Sequence, residues 1–72
     1  PVPDDMIAIG EVGLGGEVRN VTNLEYRLRE SQRMGFVRAV VPKHRLAQID
    51  PKEFNTMELL GVTYVKQAIQ LL

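Results

Sequence analysis

Seventy-two residues suffice for one small domain, and a folded chain of this size buries only about 60% of the surface its unfolded form exposes. With 44% apolar and 25% charged residues, the composition is that of a globular protein and not of a disordered tail. Nine Lys and Arg balance nine Asp and Glu, with no Cys and a single His, which excludes a global cationic field, disulfides, thiolate metal centres and a histidine-rich metal site.

In chain order, Pro1-Val2-Pro3-Asp4-Asp5 reads as a linker, since each Pro lacks a backbone donor and fixes φ. It carries none of the basic-then-apolar pattern of a signal peptide. The chain does not open on Met and reads as a soluble segment of something larger. Met6-Ile7-Ala8-Ile9 suits a buried strand continuing to Leu14, with Gly10 and Gly13 marking bulges or close backbone approach. Gly15-Gly16 signals a hairpin, and residues 17–21 form its return strand. Thr22-Asn23-Leu24-Glu25 is a capping-box pattern that opens a helix to Met34, and Gly35 ends it in the left-handed conformation. At ~100° per residue, Leu24, Leu28, Ser31 and Gly35 form one inward stripe, with Tyr26, Arg29, Glu30 and Arg33 opposite.

Phe36 to Pro42 is the strongest strand, β-branched and closed by proline. Residues 43–49 are polar and mixed, consistent with a helical turn. Asp50-Pro51-Lys52-Glu53 starts a short helix, Met57 to Val62 is a last strand, and Thr63 caps a final helix whose apolar face is Val65, Ala68, Ile69 and Leu72. The fold class is α/β, a small mixed sheet with both helices on one face. One face and at least one edge are then left open, which points to self-association or to half of a larger domain.

The run Gly10-Glu11-Val12-Gly13-Leu14-Gly15-Gly16-Glu17-Val18-Arg19 meets a known pattern. The helix residues Leu24, Arg27, Leu28 and Glu30 follow it, then Gly35-Phe36 through Pro42-Lys43. Together these resemble the C-terminal end of the bacterial RadA (Sms) family, over essentially all of residues 1–72 and most strongly over 7–43. The resemblance implies the C-terminal half of a Lon-protease-like (ribosomal S5 domain 2-like) domain. The family's zinc finger and RecA-like ATPase would lie outside this chain. It further implies a non-catalytic oligomerisation and DNA-positioning scaffold in recombinational DNA repair and branch migration. ATP, Mg and Zn would serve the other domains and no cofactor this segment; a cytoplasmic, hexameric homo-oligomer acting on DNA, with no membrane contact, is expected. The glycine run is no phosphate loop, because no Lys-Ser/Thr pair follows it.

In Lon-type peptidases a Ser–Lys dyad works, and the position of that Lys is held here by Glu25. This makes Glu25 a degenerate peptidase position and weighs against the alternative, a fragment of a Ser-Lys peptidase. A third reading, a free-standing interaction module unrelated to DNA, is opposed by the three ordered motifs.

Charge is uneven: residues 17–45 carry seven Lys and Arg against three acids. Arg29, Arg33, Arg38 and Lys43 are the candidate DNA contacts, with Arg27 a further cation that could pair with Glu11 or Glu17. Pairing along the helix, Glu25 with Arg29 and Glu30 with Arg33, is the competing structural role. Arg38 and Lys43 flank the best strand without an evident acid partner and are preferred. His44 reads as a surface residue, and Tyr26 and Tyr64 do not make a base-stacking platform.

Overall fold

The computed structural model describes residues 5–71. The reading of Pro1–Asp4 as a linker and the place of Leu72 on the last helix lie outside them.

The α/β class holds, and the strands divide into two sheets. Strands β1 (Met6–Ala8), β4 (Arg38–Pro42) and β5 (Glu58–Val62) form a parallel sheet in the order β1-β4-β5. Strands β2 (Glu11–Val12) and β3 (Val18–Arg19) form a separate antiparallel hairpin. The expected strand from Met6 to Leu14 is therefore broken at Ile9-Gly10. Val18 packs where a Gly10 side chain would lie, and the chain turns there out of the parallel sheet. In the hairpin turn the amide of Gly16 donates to the carbonyl of Gly13, and that of Gly13 to Glu17. Gly16 alone takes the left-handed conformation (φ +82°).

Helix α1 (Leu24–Arg33) begins one residue later than the capping-box pattern predicts. Asn23, left-handed at φ 60°, is the residue before it, and its carbonyl accepts from the Arg27 amide. Glu25 thus moves one place towards the helix start and no capping box forms. The far end is as expected: Gly35 has φ +100°, and its amide donates to the Gln32 carbonyl. A Cβ costs about 1–2 kcal/mol in this conformation, so Gly35→Ala should destabilise the fold by about that amount in urea titrations, with an unchanged m value.

A 3-10 helix (Lys43–Gln48) follows β4. The short helix expected from Asp50 is absent: residues 51–56 are successive turns, with Phe54 bonded back to Pro51 and Met57 to Phe54. Only Phe54 and Met57 there are apolar and buried, too few to hold a helix against the sheet. Helix α2 (Val65–Gln70) starts at Tyr64, with Thr63 outside it. Gln67 Oε1 accepts from the amides of both Thr63 and Tyr64, replacing the expected threonine cap. Ala68 packs inward, while Ile69 is exposed.

Side chains alternate across β4, and this settles the layers. Ala39 and Val41 join Leu24 and Leu28 of α1, together with Ile9, Val21, Ile49, Phe54 and Met57, in the main core. Val40 faces the other way, with Met6 and Val62, and there Val18, Leu60 and Ala68 cover it. The helices therefore lie on opposite faces, which corrects the expectation of one covered and one open face. The near-continuous apolar run of β4 follows from burial on both sides. Among the described residues no further strand pairs with the outer edge of either β1 or β5. The pairing of β1 with β4 turns the amide and carbonyl groups of Met6 and Ala8 outward.

Candidate nucleic-acid interface

Parallel strands send their carboxyl ends to one side of the sheet, the usual place for ligands in α/β folds. Lys43 follows the last residue of β4 and is exposed. Its backbone crosses close over β5, where a Cβ on Gly61 would come within 3.1 Å of Lys43 Cα. Lys66, in the first turn of α2, leaves the sheet at the same end, because Val62 of β5 pairs with Pro42 of β4. Both lysines are exposed, and among the described residues neither forms an ion pair.

The other candidate cations are placed differently. Arg38 stands at the opposite end of β4, roughly 16 Å from Lys43 at ~3.3 Å per strand residue. It is held by Asp5 Oδ1 at 2.8 Å and is half-buried, so it does have an acid partner. Arg29 donates to Glu53 Oε1 at 2.8 Å and not to Glu25. Gln32 reinforces this link, donating to the Glu53 carbonyl and accepting from Thr56 Oγ1. These bonds fasten α1 to the 51–56 turns. Arg33 pairs with Glu30, as its spacing suggests, in an exposed contact that is worth little and easily exchanged. Arg27 meets neither Glu11 nor Glu17, since Glu17 takes Arg19 at 2.7 Å. The four sequence candidates thus do not form one patch: Arg29 and Arg33 share a helix, while Arg38 and Lys43 mark opposite ends of β4.

Two residues escaped the sequence reading. Lys66 gives no local signal, because only the strand register brings it to the end that Lys43 occupies. Arg45 is the more consequential. From the 3-10 helix it donates to Glu25 Oε2 and to Asn20 Oδ1, each at 2.6 Å. Its side chain is only 13% exposed, and its Nε has no partner. Arg45 locks the 3-10 helix to the start of α1 and to the end of β3. The amide of its own residue, then the Arg45 guanidinium, holds the Glu25 carboxyl below its ordinary value of 4.5. A carboxylate in the first helical turn also suits the helix dipole.

The glycine-rich turn offers no phosphate cradle. Its Gly13 and Gly16 amides are used inside the hairpin. The Glu17 carboxylate folds back over Gly13, its pKa lowered first by its own amide and then by Arg19. An anion there would meet a negative charge, so the site does not fit a nucleotide.

No protein-family model matches the chain. It is 46% identical over 72 residues to the DNA repair protein RadA of Chlamydia pneumoniae, covering 99% of this chain and 16% of that protein. It is 41% identical over 71 residues to the protein of the same name from Aquifex aeolicus, covering 99% of this chain and 15% of that protein. The chain is a RadA-family segment. Against the RadA of Pseudomonas aeruginosa the identity is 41% over 73 residues, with 100% of this chain covered and 15% of that protein. The chain therefore spans about a sixth of the length of the curated RadA relatives it matches.

Proposed function

We propose that this segment is a non-catalytic assembly and DNA-positioning scaffold within a RadA-like, ATP-dependent DNA-repair protein that promotes branch migration. It would be the C-terminal part of a Lon-protease-like domain. The carrying observation is the match along 99% of this chain to proteins named for DNA repair, beside two lysines at the carboxyl end of the sheet that form no ion pair among the described residues. The assembled form is a cytoplasmic homo-oligomer, a hexamer, with DNA as its partner. ATP and Mg serve an ATPase domain and Zn a zinc finger, both outside these residues. No helix among the described residues is long and apolar enough to cross a membrane.

The peptidase alternative asks the Glu25 position for a base derived from an ammonium group. A carboxylate held by Arg45 does not supply one. Its place at the start of α1 serves packing instead.

Contacts to phosphate are salt-dependent and indifferent to sequence. Lys43 carries this role best, with Lys66 at the same end of the sheet and Arg33 as a cation that can exchange partners. Arg29 and Arg38 are committed to Glu53 and Asp5. Fluorescence anisotropy of a labelled single-stranded oligonucleotide across a salt series tests this. Lys43→Gln should weaken binding for all sequences and reduce the log–log salt slope by about 0.7. Arg38→Gln should leave the slope nearly unchanged. An unaltered slope in Lys43→Gln would contradict the assignment.

A further inference from the structure

The 3-10 helix Lys43–Gln48 contains a Lys, a His, an Arg and a Gln, and no acid. In a 3-10 helix, residues three apart lie in line, so its six residues form three rows. Lys43 and Leu46 make one row, Arg45 and Gln48 the second, His44 and Ala47 the third. Leu46 packs against the main core and fills the space above Gly61. Arg45 turns its guanidinium down onto Glu25 and Asn20. Two rows are thus anchored underneath, and the third points away from the fold. His44 and Ala47 are both exposed, as are Lys43 and Gln48 at the two ends.

This outward face is polar and has nothing of its own to hold. Among the described residues, the side chains of Lys43, His44 and Gln48 make no hydrogen bond. The one acid that touches the helix from outside, Glu25, is taken by Arg45. Asp50 stands beyond the far end, past the buried Ile49, with Lys52 two residues on to balance it. The charge left on the face is therefore that of Lys43. Ala47, between His44 and Gln48, carries no side chain long enough to hold a strand away.

We propose that this face is the DNA-backbone contact of the segment, with His44 and Gln48 donating to phosphate oxygens beside Lys43. It deepens the DNA-positioning reading and rests on it. An imidazole N–H and a carboxamide NH₂ are both donors that a phosphate accepts. From Lys43 to Gln48 the helix runs roughly 10 Å at ~2.0 Å per residue. One strand presents a phosphate about every 3.4 Å of axis, so the face spans about three. Arg45, the most basic side chain of the helix, is not a contact. It is a positioning residue that fixes the face.

The test is fluorescence anisotropy of the 72-residue chain with a labelled oligothymidine across a salt series, with folding checked by circular dichroism. His44→Ala and Gln48→Ala should each weaken binding about three- to tenfold. Gln48→Ala should leave the salt slope unchanged, because no cation is lost. Ala47→Lys places a cation in the outward row. It should tighten binding and steepen the log–log slope by about 0.7. Gln70→Lys adds the same charge at an exposed position of α2, which packs on the Val40 face of the sheet, whereas Leu46 packs on the Ala39 and Val41 face. Its slope should stay close to wild type.

Equal slope changes from Ala47→Lys and Gln70→Lys would mean that binding follows net charge alone, which overturns the proposal. If Lys43→Gln weakens binding while His44→Ala and Gln48→Ala bind as wild type, DNA meets Lys43 without this face: the proposal fails and the DNA-positioning reading stands. A folded wild-type chain that binds no oligonucleotide at low salt overturns both. Should His44→Ala fold poorly, Ala47→Glu sets an anion in the same row and should weaken binding at least as much.

Discussion

Leu28→Ala should remove most of the stability of the fold. Leu28 is completely buried on α1, in the cluster that includes Leu24, Ala39, Val41 and Phe54. Truncating a buried leucine costs about 2–5 kcal/mol, more where the neighbours cannot close the gap. Ala39 has no side-chain length with which to fill it. A domain of this size has a total stability of about 4–11 kcal/mol at the usual range per residue. The loss is thus between a large fraction and all of it. Urea denaturation followed by circular dichroism should show the midpoint falling to near zero denaturant, or a chain already unfolded. Tyr26→Ala is the control: Tyr26 is exposed on the same helix, and its replacement should change stability by less than about 0.5 kcal/mol. Equal effects from the two would mean that α1 does not pack as described.

The second large effect is electrostatic. Glu25→Lys sets an ammonium against the Arg45 guanidinium, which is largely buried and already has an unpartnered Nε. Leaving a buried charge unpaired costs about 3–5 kcal/mol. Glu25 is 37% exposed, so solvent screening reduces this to about 1–3 kcal/mol. The reversed pair, Glu25→Lys with Arg45→Glu, should recover part of the loss, and a double-mutant cycle measures how much.

The same pair sets an acid limit. The Glu25 carboxyl titrates below 4.5 in the folded chain, so the unfolded chain binds its proton more readily. Its stabilising contribution is complete above 4.5 and is lost as pH falls through the lower, folded value. Glu25→Gln should therefore be less stable than wild type at pH 7, and the gap should narrow below pH 4.5. A gap independent of pH would remove Glu25 ionisation from the account.

The sequence speaks most clearly where local pattern and tertiary role coincide. Arg38 to Pro42 reads as a strand because its run is apolar throughout, as burial on both faces demands. Leu24, Leu28 and Ser31 lie on one stripe and are the buried residues of α1. The stripe says that a helix packs, however, and not on which side of the sheet. That depends on how each crossover leaves its strand, which is why α2 appears on the face opposite α1. The long-range ion pairs were hidden for a related reason. Arg38 meets Asp5 across 33 residues of sequence, Arg29 meets Glu53 across 24, and Arg45 meets Glu25 across 20. Helical spacing offered Glu25 to Arg29, and a closer packed guanidinium took it. Lys43 could be singled out from sequence because it follows the strand directly. Lys66 could not, because its place at the same end of the sheet follows only from the register between β4 and β5.

The charged residues of this segment mostly hold its own fold together, and Lys43 and Lys66 are exposed without ion partners among the described residues. The most direct test of the assembling role is the mass of the chain in solution, measured by light scattering from micromolar to millimolar concentration. The account predicts a weight-average mass that rises with concentration above the 8.1 kDa of one chain. A folded chain that stays at 8.1 kDa throughout would contradict it, and assembly would then have to be driven entirely from outside these residues.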